Sequence, residues 1–278
     1  MTKAAPLDTR PIGVFDSGLG GLTVLRSLID LVPGESLVYF GDTGRFPYGP
    51  KPAEEVRGYA LEISDLLVER GVKMLVVACN SAASAALEML KERYEIPVIG
   101  VVSPGVRAAA KVTETRRVGV IGTLGTINSG AYQRAAEASG LDLTCQACPG
   151  FVEFVEAGDV DSDEVIKLAE ELLEPVRSAN IDTLILGCTH YPLLARSIAS
   201  VMGRGVTLIS SADETAFEVM GRLEVGDSLV GQDSSLGPAP ETRGSHVFIT
   251  SGNTATFMEL GARFLGPEVA DVEAHKWS

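Results

Sequence analysis

Short runs of apolar, often β-branched residues alternate along the chain with longer segments in which Ala, Leu and Glu recur at helical spacing. That alternation predicts βα units and parallel sheets, because parallel neighbours need a crossover helix between them. Strands are expected at 11–15 (PIGVF), 36–40 (SLVYF), 73–78 (KMLVVA), 96–102 (IPVIGVV) and 117–122 (RVGVIG). Four more are expected at 141–145 (LDLTC), 182–187 (DTLILG), 205–210 (GVTLIS) and 245–250 (SHVFIT). Helices are expected at about 20–31, 53–70, 81–93, 126–139, 161–178, 191–202, 212–224 and 254–264.

The pattern repeats. Gly13-Val14 in PIGVF corresponds to Gly119-Val120 in RVGVIG, and Cys79 after MLVVA corresponds to Cys188 after TLILG. Two similar four-strand halves in tandem predict an α/β protein of two lobes, each a mostly parallel sheet flanked by helices. The segment from 213 onward is too small to fold alone and is expected to pack back on one half. The first lobe is therefore expected to comprise 1–102 with 213–278, and the second 103–212. The polar stretch 226–245 reads as a surface excursion, and the tail GPEVADVEAHKWS as a frayed end.

Composition narrows the picture. The chain has 278 residues, 45% hydrophobic and 22% charged, which suits one large domain or two of roughly 100–150 residues. No apolar run approaches the ~20 residues of a membrane helix, and the N-terminal residues hold no signal-peptide core. A soluble, cytoplasmic protein is expected. A net charge of −14, with Arg116-Arg117 the only adjacent basic pair, argues against nucleic acid and anionic membranes as partners. The four cysteines are expected to be reduced thiols.

In open parallel sheets, ligands bind beyond the carboxyl ends of the strands, and the polar residues cluster there. PIGVF is followed by Asp16-Ser17-Gly18-Leu19-Gly20-Gly21, and SLVYF by Gly41-Asp42-Thr43-Gly44-Arg45-Phe46-Pro47-Tyr48-Gly49-Pro50. Cys79-Asn80-Ser81, Thr123 with Thr126, and Cys188-Thr189-His190 follow three further strands. DSGLGG departs from the dinucleotide spacing, and its leading carboxylate would repel a pyrophosphate. Cysteine is commonly a core residue. Two cysteines at matching strand ends, each beside hydroxyl or amide groups, point instead to function. A thiol at a helix N-terminus is biased towards thiolate. Thiols facing one another across a cleft could take a proton from one face of a carbon and return one to the other. Cys145-Gln146-Ala147-Cys148 lacks a second ligand pair for zinc, and alternation turns Cys145 inward. His190, two residues after Cys188, can exchange protons with it. Glu156 is a candidate support, while His246 and His275 read as structural or solvated.

The stretches DSGLGGLTVL, GDTGRFPYGPK, ACNSAAS, FVEFVEAG and LGCTHYPLL resemble the motifs of the glutamate racemases, a cofactor-independent group of amino-acid racemases. The matches run in order from residue 12 to about 215, nearest the actinobacterial members. The resemblance implies an active site between two α/β lobes, direct proton transfer without pyridoxal phosphate or metal, a homodimer, and D-glutamate supplied to peptidoglycan. It assigns Cys79 and Cys188 as the acid/base pair, with Asp16 assisting Cys79 and His190 assisting Cys188, Glu156 behind. It also implies substrate contacts from Asp16, Ser17, Tyr48, Gly49, Asn80, Ser81, Thr126, Thr189 and His190. Many members carry Thr where this chain has Ser81; the hydroxyl is kept. Alternatives are an aspartate racemase, a related cysteine-dependent decarboxylase, which would need one thiol, and a non-enzymatic two-lobed binding protein.

Overall fold

A computed structural model describes residues 8–225 and 243–277. Its described strands are β1 (Ile12–Asp16), β2 (Leu37–Gly41), β3 (Met74–Val77), β4 (Val98–Gly100) and β5 (Arg117–Gly122). They continue with β6 (Asp142–Ala147), β7 (Thr183–Gly187), β8 (Thr207–Ser210), β9 (His246–Thr250) and β10 (Val272–Ala274). They form two wholly parallel sheets, β10-β9-β2-β1-β3-β4 and β6-β5-β7-β8. Within them the orders β2-β1-β3-β4 and β6-β5-β7-β8 are the same, so the sequence repeat is a repeat of topology.

β1, β2, β3 and β7 are buried along their whole length, which explains their unbroken apolar runs. The expected segment 126–139 is divided: helices Leu124–Asn128 and Ala131–Ala138 meet at Gly130, whose φ of 72° favours glycine. Two helices absent from the sequence reading are Val102–Val112 and Phe151–Ala157. Pro104 and Gly105 obscure the first, although proline is tolerated in a first helical turn.

Helices Val102–Val112 and Ser211–Val225 pack on each other, touching β4 of one sheet and β7 of the other. One apolar core therefore runs through both lobes and includes Ile12, Val76, Val106, Val120 and Ile185. A smaller core around Phe151, Leu184, Tyr191 and Ile198 fills the far side of the second sheet.

The tail corrects the reading of a frayed end. β10 pairs with β9, and His275 N–H donates to the Thr250 carbonyl at 2.8 Å. Backbone pairing and the packing of a half-buried Trp277 against Phe40 order a segment whose composition suggested none. Most of the expected 226–245 excursion lies outside the described residues.

Candidate active site

β1, β3, β5 and β7 end towards the junction of the two sheets, and the residues after them line one small cavity. Its walls are Ser17 after β1, Cys79, Asn80 and Ser81 after β3, Thr123 after β5, and Cys188, Thr189 and His190 after β7. Phe46, Pro47, Tyr48 and Gly49 close it from the loop after β2, and Val152 from the second lobe. The enclosed volume of about 20 Å³ holds roughly one water molecule. A larger hollow of about 240 Å³ adjoins it, sharing Tyr48, Gly49 and Ser81.

Close approach of the walls explains two glycines. A Cβ on Gly20 would lie 2.3 Å from Thr189 Oγ1 and 2.5 Å from His190 Nδ1. One on Gly49 would lie 2.8 Å from Thr123 Cβ. The glycine-rich stretch thus serves contact between lobes.

Cys79 caps the helix Asn80–Arg93, its Sγ accepting from Ala82 N–H at 3.5 Å and donating to Ser17 Oγ at 3.6 Å. Burial, reinforced by the Asp16 charge, pushes this thiol up to about 12 despite those hydrogen bonds. Asp16 is fully buried, accepting from Gly18 N–H at 2.9 Å and Thr189 Oγ1 at 3.4 Å. Desolvation holds its carboxyl above the usual range, against the opposing pull of His190.

Around Cys188 the arrangement is different. Its Sγ lies 3.9 Å from His190 Nδ1, and His190 Nε2 lies 2.8 Å from Glu156 Oε1. Burial by itself would lower the imidazole, but Cys188 and Glu156 outweigh it and raise His190 to about 10. The ring is held between Phe46 and Phe264, with centroids 5.9 and 5.8 Å away. Val152 and Glu156 are four residues apart in Phe151–Ala157, so one helix face supplies both the cavity wall and the histidine's partner.

Nine of the residues singled out in the sequence line the cavity: Ser17, Tyr48, Gly49, Cys79, Asn80, Ser81, Cys188, Thr189 and His190. Asp16, Glu156 and Thr126 stand behind it. Thr126 bonds to Thr123 Oγ1 at 3.0 Å and to Ser81 Oγ at 3.4 Å, so Thr123 takes the exposed place. Asn80 Oδ1 accepts from Tyr132 at 2.7 Å, leaving its Nδ2 buried without a partner. That N–H₂ group can donate to an anionic ligand.

The sequence reading missed Asp42. It is wholly buried and accepts from Tyr48 OH, Arg45 Nε (2.7 Å), Ser251 Oγ (2.6 Å) and Trp277 Nε1 (3.0 Å). Its place at the head of the loop after β2 was visible, but its partners are distant in sequence. The inward turn expected for Cys145 is partial: it is half-buried, whereas Cys148 is buried, and all four cysteines are free. His275 packs against Phe40 and Trp277. His246 is half-buried, and burial lowers its pKa. Among the described residues no group of three or more His, Cys, Asp or Glu is placed to hold a metal ion, and no helix is long and apolar enough to cross a membrane.

The profile of the Asp/Glu/Hydantoin racemase family matches residues 12–219, which hold β1–β8 and so every strand that feeds the cavity. The chain belongs to this family. Within it, the chain is 52% identical to the glutamate racemase of Beutenbergia cavernae, over 94% of this chain and 91% of that one. The fold is similar to glutamate racemase isoform RacE1 from Bacillus anthracis, with a TM-score of 0.88 and 42% identity over 97% of each chain. It is also similar to the glutamate racemase from Francisella tularensis, solved in complex with D-glutamate. There the TM-score is 0.88 and the identity 33%, over 97% of this chain and 98% of that one.

Proposed function

We propose that this protein interconverts L- and D-glutamate by direct proton transfer at Cα between Cys79 and Cys188. The observation carrying this reading is that both thiols line one cavity from equivalent strand ends, β3 in one sheet and β7 in the other. One thiolate removes the Cα proton, leaving a carbanion, and the opposite thiol donates its own proton to the other face. The enzyme ends with the two protonation states exchanged, and the reverse reaction restores them. Burial holds Cys79 as the thiol, and the raised His190 stands beside Cys188 as the imidazolium.

A free α-amino acid is weakly acidic at Cα, so the developing charge needs preorganised donors. Asn80 Nδ2, the hydroxyls of Ser17, Ser81, Thr123 and Thr189, and nearby backbone N–H groups supply candidates. Asp16 orients Thr189, and Glu156 keeps His190 charged. The proton path uses side chains of this chain alone.

Glutamate is favoured over aspartate by the relatives, and two thiols lining one cavity favour racemisation over decarboxylation or binding alone. The reading places the two thiols in the lobes 1–102 with 213–278 and 103–212. The likeness to the glutamate racemases extends it to a cytoplasmic homodimer supplying D-glutamate for peptidoglycan. The test is to incubate the protein with L-glutamate and follow circular dichroism, which should decay to zero as the racemate forms. Persistent optical activity, or equal kcat/KM with aspartate, would defeat the assignment.

A further inference from the structure

The loop Asp42–Gly49 forms one wall of the cavity, and it is fastened from outside by a residue that no motif includes. Trp277, the sole tryptophan, lies beyond β10 and donates its indole N–H to Asp42 Oδ1 at 3.0 Å. Its ring lies 3.9 Å from the Arg45 guanidinium carbon, which is also 4.0 Å from the Tyr59 ring. Arg45 donates to the other Asp42 oxygen, as does Tyr48, which lines the cavity together with both thiols. Arg45 Nη2 is buried without a hydrogen-bond partner, as expected of a guanidinium packed on aromatic faces.

The indole is itself fixed. His275 meets it edge-on at 4.4 Å and Phe40, in β2, packs at 5.4 Å, while the His275 N–H ties the tail to Thr250 at the end of β9. A buried carboxylate missing one of its donors is strongly destabilised and seeks another arrangement. Here such a rearrangement would release Tyr48 and Arg45, and with them the wall formed by Phe46–Gly49.

We infer that Trp277 is a positioning residue for the reaction, holding the Asp42–Arg45–Tyr48 cluster so that the loop keeps its shape against the substrate. This rests on the racemase reading of the cavity. Trp277→Ala removes both the N–H and the ring, whereas Trp277→Phe keeps a ring against Arg45 and removes only the donor.

The test measures glutamate racemisation by wild type, W277F and W277A, with far-ultraviolet circular dichroism confirming the fold. A hydrogen bond to a charged group predicts about a tenfold or larger loss of kcat/KM in W277A. W277F should fall between W277A and wild type, and the loss should appear mainly as raised KM. As the sole tryptophan, Trp277 also reports on the loop in the unmodified protein: glutamate should shift its emission saturably, with a midpoint near KM. If W277A does not fold, this titration decides: a saturable shift supports the inference, and unchanged emission at saturating glutamate overturns it. A folded W277A with wild-type kcat and KM also overturns it. A wild type that leaves L-glutamate optically active would defeat the racemase reading instead.

Discussion

Cys79 and Cys188 follow equivalent strands in sheets of the same connectivity, yet their surroundings differ. Cys79 sits at the N-terminus of a fourteen-residue helix, accepts a backbone N–H, and faces the buried Asp16 carboxylate. Cys188 is followed by a 3₁₀ turn, Tyr191–Leu194, that runs into the helix Ala195–Met202, and its Sγ caps neither. Its positive partner is a side chain, His190, kept charged by Glu156. The repeat copied the strands that present the thiols, while the neighbouring side chains differ: a buried carboxylate by Cys79 and an imidazole by Cys188. The proposed proton transfer calls for unlike surroundings, because it needs one group ready to give a proton and one ready to take it.

The largest expected effect comes from removing either thiol. Cys79→Ala or Cys188→Ala should lower racemisation by about 10²–10⁴-fold or more. In heavy water each variant should still exchange the α-hydrogen of one enantiomer. By the family resemblance these are D-glutamate in Cys188→Ala and L-glutamate in Cys79→Ala. Mass spectrometry of the separated enantiomers reads this out, and labelling of the opposite enantiomer would reverse the assignment.

A smaller effect should sharpen the contrast in charge. His190 is raised from about 6.5 to about 10, so its stabilising contribution is full below the lower value and disappears as pH climbs through the higher one. Glu156→Gln removes one cause of the rise. The alkaline limb of the kcat profile should therefore move down by about a unit. Thermal melts should lose stability at lower pH than in wild type, and superimposable profiles would break the proposed link.

The smallest effect should come from Ser17→Ala, which removes a hydrogen-bond partner of Cys79 that favours its ionised form. The Cys79 thiol should then rise slightly, and kcat should fall by a few-fold, as expected from loss of one net hydrogen bond of about 1 kcal/mol. Enantiomers have equal free energies in water, so kcat/KM must change equally in the two directions. Unequal changes are permitted only in kcat and KM separately, and initial rates in both directions check this.

Much of this was legible because strand ends are legible. Apolar runs located the nine expected strands to within a few residues, and the residues following them supplied most of the cavity wall. Helix Phe151–Ala157 was missed because seven residues between glycines give little periodic signal. Thr123 was passed over as the lining hydroxyl in favour of Thr126, because which of two neighbouring hydroxyls faces inward depends on a helix start at Leu124. Asp42 and Trp277 are 235 positions apart, and no local pattern links them.

Alternating hydrophobicity and the spacing of the repeat determined, from sequence alone, a duplicated parallel α/β architecture with paired cysteines at matching strand ends. These are local properties: strand burial demands apolar residues, and the following turn exposes whatever comes next. Only the tertiary structure decided that Thr189 and His190 close on Gly20, that Glu156 reaches His190, and that the tail fastens the loop carrying Tyr48. Each joins segments far apart in the chain, and burial, charge and contact there arise only when separate elements share one volume.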